Sequence, residues 1–169
     1  MTVKGKAFIG IFIWAFVLWL LLTMSLNVWE LVTGVLVALF AAFAGASMLA
    51  ETKWVDVLVN PAKWLGFIAY LGVLWIEIVK ASIDVWMRAM GLKKPDVDAG
   101  VVAIQVPNES VESMVMLANS ITLTPGTITA KIEPEKKTLY IHWIAVGDKE
   151  KWYEDIAAAL NRGVRRVLP

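Results

Sequence analysis

The most constraining feature of the sequence is a pair of long uncharged segments separated by only six residues. Residues 7–24 (AFIGIFIWAFVLWLLLTM) and 31–50 (LVTGVLVALFAAFAGASMLA) contain no charged side chain. Each is close to the roughly 20 residues with which an α-helix crosses the hydrocarbon core of a bilayer. The connecting SLNVWE is short enough to force a reversal of the chain. The two segments are therefore predicted to form an antiparallel helical hairpin in a membrane.

Composition excludes several classes of function. The chain has 169 residues, 59% of them hydrophobic, and a formal net charge of +1 without a long basic tract, so the electrostatic footprint of a nucleic-acid-binding protein is missing. It has no cysteine, which excludes disulfides and thiolate catalysis. With His142 as its one histidine, it cannot build a zinc site of the usual nitrogen and sulfur type. We expect no metal and no cofactor.

The second hydrophobic segment has small residues at every fourth position. A helix with this spacing has one face nearly bare of side chains, which lets another helix approach closely. The approaching helix belongs either to this chain or to another subunit. The residues are Gly34, Ala38, Ala42, Ala46 and Ala50.

The connection before this segment carries Asn27 and Glu30. An N-cap residue followed three positions later by a carboxylate is a common helix start. The alternative is that Glu30 is an ion ligand near the membrane. The spacing favours the cap.

A third hydrophobic helix is predicted to begin at NPAKW, where Asn60 can cap and Pro61 suits the first helical position. It is expected to run to about Gly91, a length of roughly 45 Å, which exceeds the thickness of the hydrocarbon core. One end should therefore project into water. Residues 1–91 are accordingly predicted to be the membrane helices.

Charges on this third helix fall on one stripe. Glu77, Lys80, Asp84 and Arg88 lie within about 80° of one another around the helix axis. One interpretation is a ladder of exposed ion pairs, each worth a few tenths of a kcal/mol. The other makes Glu77 part of an ion path, because an ionisable group at membrane depth is costly and therefore often functional.

Residues 92–169 are predicted to form a small α/β domain of order β-α-β-β-α. VVAIQV has the pattern of a strand and NESVESMVMLANS that of a helix. GTITAKI and TLYIHWIAV are predicted to be two strands joined by the turn EPEKK, and the chain is expected to be helical from Asp148.

The uncharged stretch LTPGT within this domain could be a phosphate loop or a structural turn. A phosphate loop usually has several glycines and precedes a helix, whereas this stretch has one glycine and precedes a predicted strand. Pro followed by Gly suits the two central positions of a type II turn. We expect a structural turn formed by Thr124, Pro125, Gly126 and Thr127.

Several motifs together resemble the E-type subunit of the Mrp-type multisubunit cation/proton antiporters. They are the NP-K-W helix start, WIEIVKASIDVW, GVVAIQVP and, most specific, LANSITLTPGTITAKI, and they extend over nearly the whole chain. Similar proteins occur in the Mrp-like module of archaeal membrane-bound hydrogenases and their sulfur-reducing relatives. The motifs do not separate these complexes.

The resemblance implies an accessory, non-catalytic subunit that supports assembly and transport of Na⁺ and protons. It also implies a multi-pass protein of the plasma membrane with a cytoplasmic C-terminal domain. Its partners would be the other membrane subunits and the lipid bilayer. Residues 117–127 would be a structural signature, and Glu77 a candidate for tuning ion passage. With Lys80, Asp84 and Glu30, it makes up the set of candidate ion-path or interface residues.

Two other classes of function compete with this one. A membrane-anchored enzyme would need a convergent set of acid, base or nucleophile, and no such set follows from the spacing. A freestanding membrane-tethered binding module would behave as a complete unit when it is purified alone.

Membrane orientation is in tension with the resemblance. Three full crossings put the N-terminus opposite the C-terminal domain, so a cytoplasmic domain implies an external N-terminus. The charges do not decide, since Lys4, Lys6, Lys53 and Lys63 lie on one side and Arg88, Lys93 and Lys94 on the other. Incomplete crossing by the first two segments would also remove the tension.

Overall fold

A computed structural model describes residues 2–92, 98–108, 110–146 and 149–168, without the side chain of Glu150. Lys93 and Lys94, and Asp148 at the predicted start of the last helix, lie outside the described residues. The chain forms two compact units, residues 1–64 and 65–169. The division at 91/92 expected from the sequence concerns the membrane boundary and stays a prediction.

The first unit is the predicted antiparallel helical hairpin. Helix α1 spans Val3–Thr23 and helix α2 spans Val28–Leu49. Met24 ends α1 in the left-handed region at φ 47°, and the side chain of Asn27 begins α2 by accepting a hydrogen bond from the amide of Trp29. The hydrophobic segments thus end within a few residues of the predicted positions.

The small-residue face of α2 is used inside the chain. The buried residues of α2 are Gly34, Ala38, Ala42 and Ala46. A Cβ placed on Gly34 would lie 2.5 Å from the Trp19 ring of α1, and one on Gly45 would lie 3.2 Å from Ile11. Of the two possible partners for this face, α1 is the one that covers it.

A short helix that the sequence analysis did not predict follows the hairpin. Helix α3 spans Trp54–Val59, and its Val55 and Val57 are buried. The Trp14 indole of α1 donates a hydrogen bond of 3.3 Å to the carbonyl of Leu58. The first unit is therefore a hairpin with a short third helix against α1.

Helix α4 spans Pro61–Ala89 and begins as predicted, with Asn60 Oδ1 accepting a 3.0 Å hydrogen bond from the amide of Ala62. Gly91 follows its end at φ +69°. Among the described residues, the helices α1, α2 and α4 are long and apolar enough to cross a membrane.

The second unit contains a three-stranded antiparallel sheet. Strands β1 (Gly100–Gln105), β2 (Thr127–Glu133) and β3 (Thr138–Trp143) are arranged in the order β1-β3-β2. Helix α5 (Val111–Leu123) connects β1 to β2, and a 3₁₀ turn at Pro134–Lys136 joins β2 to β3.

The last predicted helix is interrupted. It forms α6 (Trp152–Ile156) and α7 (Ala158–Val167), because Ala157 between them lies at φ −120°, outside the helical region. The predicted order β-α-β-β-α is otherwise confirmed. The core of this unit consists of buried apolar side chains of the strands, α5 and α7, namely Val102, Ile104, Leu117, Ile121, Leu139, Ile141, Leu160, Val164 and Val167.

Candidate functional site

Helix α4 contacts the α/β part of the second unit through a buried tyrosine. Tyr70 is 5% exposed, and its hydroxyl lies 2.5 Å from Ser120 Oγ in α5. Because Ser120 Oγ donates its own proton to the carbonyl of Met116 at 2.6 Å, the Tyr70 hydroxyl is the donor of the bond between them. On α7, a Cβ added to Gly163 would lie 3.0 Å from the Tyr70 ring. One side chain thus joins α4 to two helices.

The turn that follows α5 contacts α4 further along. The Thr124 carbonyl accepts a hydrogen bond from the Thr127 amide at 3.4 Å, and Gly126 lies at φ +92°, the positive φ that a type II turn needs at this position. A Cβ on Gly126 would lie 3.0 Å from Ile144 Cγ2 and 3.4 Å from Val85 Cγ2 of α4. The glycine is thus needed for both its φ and its lack of a side chain.

The threonines of this turn end helix α5. The hydroxyls of Thr124 and Thr127 lie 2.6 and 2.7 Å from the carbonyl of Ile121, to which both are placed to donate, and 2.8 Å from each other. Carbonyls in the last turn of a helix have no partner within the helix, so these hydroxyls replace the missing donors. The two hydroxyls therefore cap the end of helix α5, as expected for side chains of a structural turn.

Two further threonines join α5 to strand β2. The Thr129 hydroxyl donates to the carbonyl of Ala118 at 3.0 Å, and the Thr129 amide donates to the Thr122 hydroxyl at 3.1 Å. The four threonines of LANSITLTPGTITA are thereby all assigned to hydrogen bonds within the fold.

The charged stripe and the turn line one cleft, of about 260 Å³. Sequence reasoning treated them separately, because residues 77–84 and 124–127 are far apart along the chain. Helix α6 adds two acids, Glu154 and Asp155. The sequence did not point to them as site residues, because two acids in the first turn are common in any helix. The polar lining residues are Glu77, Lys80, Asp84, Thr124, Thr127, Glu154 and Asp155.

Ion pairs already engage two carboxylates of the cleft. Glu77 Oε1 lies 2.8 Å from Lys80 Nζ, and Asp84 Oδ2 lies 2.7 Å from Arg88 Nε. Among the described residues, no group of three or more His, Asp or Glu side chains is arranged to hold a metal ion. The arrangement can attract a hydrated cation electrostatically.

Glu30 belongs to the first unit, in the first turn of α2. Its carbonyl accepts a 3.0 Å hydrogen bond from the Trp19 indole. The amide of Asn27 donates to Ser25 Oγ at 3.3 Å, so a serine takes the part that the predicted capping pair gave to the Glu30 carboxylate.

A second cleft, of about 450 Å³, was not anticipated from the sequence. Its walls include two buried asparagines and three arginines of α7, namely Asn108, Asn161, Arg162, Arg165 and Arg166. Among the described residues, both amide atoms of Asn108 lack a hydrogen-bond partner. A lone asparagine before a helix gives no sequence signal of this kind.

Comparison with known proteins bears on nearly the whole of this architecture. Residues 12–167 match the family model described as Na⁺/H⁺ ion antiporter subunit. The E1 subunit of the Na⁺/H⁺ antiporter of Staphylococcus saprophyticus is 32% identical over 89% of this chain and 90% of its own length. The corresponding E-type antiporter subunit of Alkalihalophilus pseudofirmus is 31% identical over 59% of this chain and 63% of its own length.

A solved structure is similar to both units. A chain of the membrane-bound sulfane sulfur reductase, an archaeal respiratory membrane complex, matches with a TM-score of 0.81 and 32% identity, covering 96% of this chain and 99% of that one. The match of family, sequence and fold over most of the length leaves one assignment: the chain belongs to the family of E-type subunits of multisubunit Na⁺/H⁺ antiporters.

Proposed function

We propose that this chain is an accessory membrane subunit of a multisubunit Na⁺/H⁺ antiporter and that it supports assembly and cation transport without catalysing a reaction itself. The observation that carries the proposal is the extent of the similarity, which includes both the hairpin and the α/β unit. The site agrees with it, because the hydroxyls of the LTPGT turn are used in hydrogen bonds that hold the fold.

The experiment is deletion of the chain from cells that carry the complex, followed by restoration with a tagged copy. We expect loss of the assembled complex, or of its sodium-dependent proton movement in membrane vesicles, and recovery of both on restoration. An unchanged complex with unchanged antiport would contradict the proposal. A tagged chain that purifies without other membrane subunits, as a folded unit, would favour a freestanding binding module instead.

A second candidate is the same subunit in the ion-translocating module of a respiratory complex. The similarity to a chain of the sulfane sulfur reductase favours it. Mass spectrometry of the co-purified assembly separates the two, because a respiratory complex brings redox subunits and an antiporter does not.

The cleft beside α4 is the part of the chain that we propose to influence cation passage. Its support is the convergence of Glu77 and Asp84 of α4 with Glu154 and Asp155 of α6, four carboxylates near one opening. Lys80 balances part of that charge. A role of Glu30 as an ion ligand stays a separate prediction.

We place the protein in the plasma membrane with its C-terminal domain in the cytoplasm. The support for this side is the resemblance to the E-type subunits.

A further inference from the structure

Helix α4 has two faces of opposite character within the second unit. Tyr70, Leu74 and Val85 lie on one face, where Tyr70 and Leu74 are buried and Val85 adjoins the LTPGT turn. At 100° per residue these three positions fall within an arc of about 60°. The contacts extend over 15 residues, or roughly 22 Å of helix.

The opposite face of α4 is apolar and exposed. It forms a stripe within an arc of about 100°, centred roughly 180° from the buried face. Trp75, at 67% exposed, is typical of it. We call this set the apolar stripe, and its large residues are Leu65, Ile68, Trp75, Ile76, Val79, Ile83 and Trp86.

A helix with these two faces cannot cross the bilayer and keep its contacts. Crossing would take the α/β part with it into the hydrocarbon, including the exposed ion pairs that Glu133 makes with Lys131 and Lys136. Burial of such charges in hydrocarbon costs several kcal/mol each. Length and hydropathy alone would permit a crossing, but the buried side of α4 opposes it.

We propose that α4 lies in the plane of the membrane surface, with the apolar stripe inserted into the lipid headgroup and acyl boundary and the α/β part on the water side. An amphipathic helix with tryptophans on its apolar face is typical of this position. Glu77, Lys80 and Asp84 then line a cleft at the level of the headgroups or above them.

Chain connectivity favours lipid as the occupant of the stripe. Helix α2 ends at Leu49 and α4 begins at Pro61, so only 11 residues separate a predicted membrane crossing from the start of α4. The short α3 takes up six of them. The chain therefore leaves the bilayer close to where α4 starts.

The distribution of positive charge gives independent support. With two crossings, all 16 Lys and Arg residues lie on one side, because the connection 24–27 between α1 and α2 contains none. With three crossings, Lys4, Lys6, Lys53 and Lys63 would lie on one side and the other twelve within or beyond α4. The positive-inside rule favours the first arrangement and identifies that side as cytoplasmic. With α4 at the membrane surface, the N-terminus and the C-terminal domain both lie on the cytoplasmic side.

Single cysteines test the inference directly, because the natural chain has none. We would place them at three exposed positions, Thr2→Cys, Leu26→Cys and Glu135→Cys, in the assembled complex. A membrane-impermeant maleimide is applied to intact cells and to inverted vesicles, and the tagged chain is then isolated. We expect Thr2→Cys and Glu135→Cys to react only in inverted vesicles and Leu26→Cys only in cells. Reaction of Glu135→Cys together with Leu26→Cys would mean that α4 spans, and would overturn the inference.

Spin labels on the apolar stripe test the choice of lipid over a protein partner. At Leu65→Cys, Ile76→Cys and Ile83→Cys we expect high collision rates with oxygen, low rates with a water-soluble nickel complex, and one similar shallow depth. The label at Glu135→Cys is the water-exposed control and should show the reverse. Low accessibility to both reagents on the stripe would identify a covering protein partner and overturn the lipid assignment. A greatest depth at Ile76, the middle of the three labels, would mean that α4 crosses the bilayer and would also overturn it.

Discussion

The helices and strands within the two units are held together in different ways. In the hairpin, contact depends on small residues, since α2 buries only Gly34, Ala38, Ala42 and Ala46. In the α/β unit, polar side chains add to an apolar core, and threonine hydroxyls and Tyr70 join α4, α5 and β2.

The difference follows from the solvent of each unit. Helices in lipid gain little from burying apolar side chains against each other, so close backbone approach and a few hydrogen bonds decide their packing. The indoles of Trp14 and Trp19 supply two such bonds to backbone carbonyls. A unit that faces water can instead bury hydroxyls when each has a partner, and this also makes the contact specific.

The largest effect is expected from filling the seam of the hairpin. Gly34→Val puts a side chain where a Cβ alone would lie 2.5 Å from the Trp19 ring, so α1 and α2 must separate or Trp19 must lose its bond to Glu30. Overpacking of this kind costs about 1–3 kcal/mol or more. We expect little assembled complex in immunoblots of membranes.

Gly72→Val is the matched control for this change. A Cβ at Gly72 meets nothing within 4 Å, so assembly should stay near the wild-type amount. Equal losses in both variants would mean that side-chain size on any helix, rather than the α1–α2 seam, limits assembly.

The next effect concerns the turn. Gly126→Val combines strain at φ +92° with a Cβ placed 3.0 Å from Ile144 Cγ2. A left-handed conformation costs a residue with a side chain about 1–2 kcal/mol, and more when it is β-branched. We expect assembly, measured by co-purification, to fall before transport per assembled complex does.

Gly91→Val separates strain from crowding. Gly91 also has positive φ, at +69°, but a Cβ there meets nothing within 4 Å, so the loss should be smaller. If Gly126→Val assembled normally and lost only transport, the turn would belong to the ion path.

Gly126 also shows how far the sequence predicts the structure. Pro-Gly chemistry is local, so the positive φ of Gly126 follows from residues 124–127 alone. The ends of α1 and α2 follow from hydropathy for the same reason. The contact of Gly126 with Val85 is tertiary, and nothing in either stretch indicates it.

Other features escaped prediction because local preference is weak there. Helix α3 is six residues long, too short for a clear period. The interruption at Ala157 lies in a run of alanines, which favour a continuous helix, so the surrounding fold overrides propensity. The cleft lined by Glu77, the turn and Glu154 could not be predicted, because its residues come from three separate elements that only the folded chain brings together.

A moderate effect is expected from Tyr70→Phe. The change keeps the ring against Gly163 and removes only the hydroxyl that donates to Ser120. Loss of such a bond costs about 0.5–1.5 kcal/mol, which corresponds to amide exchange faster by a factor of about 2 to 13 wherever exchange depends on opening of this contact. Hydrogen–deuterium exchange of α4 and α5 in the assembled complex measures it. Unchanged exchange would mean that the hydroxyl does not hold these helices together.

A smaller effect on stability, with a separate effect on transport, is expected from Glu77→Gln. The Glu77–Lys80 pair is partly exposed, so its loss costs only a few tenths of a kcal/mol. If Glu77 guides cations, sodium-dependent proton movement in vesicles should drop with the amount of complex unchanged. Wild-type rates would exclude the transport role.

The double variant Glu77→Gln with Lys80→Met identifies the cause of any defect. In the single variant Glu77→Gln, Lys80 loses its partner and leaves an unpaired cation beside the cleft. Recovery in the double variant would assign the pair a structural role, whereas a persistent defect would assign it to the lost carboxylate.

The smallest effect is expected at the β2–β3 hairpin, on the exposed side of the α/β unit. The Tyr140 hydroxyl donates to Glu133, and this bond, followed by those from Lys131 and Lys136, lowers the pKa of the Glu133 carboxyl. A lowered pKa in the folded state stabilises the fold above the ordinary pKa of glutamate, and the contribution is lost as the pH falls through the folded value. Glu133→Gln mimics the protonated form, so the variant should unfold at a slightly lower temperature than the wild type at neutral pH. The difference in unfolding temperature should vanish in acid. Thermal unfolding of the solubilised complex across this pH range measures the gap. If the difference in unfolding temperature stayed constant with pH, the β2–β3 hairpin, like the α1–α2 seam, would depend on packing and not on polar contacts.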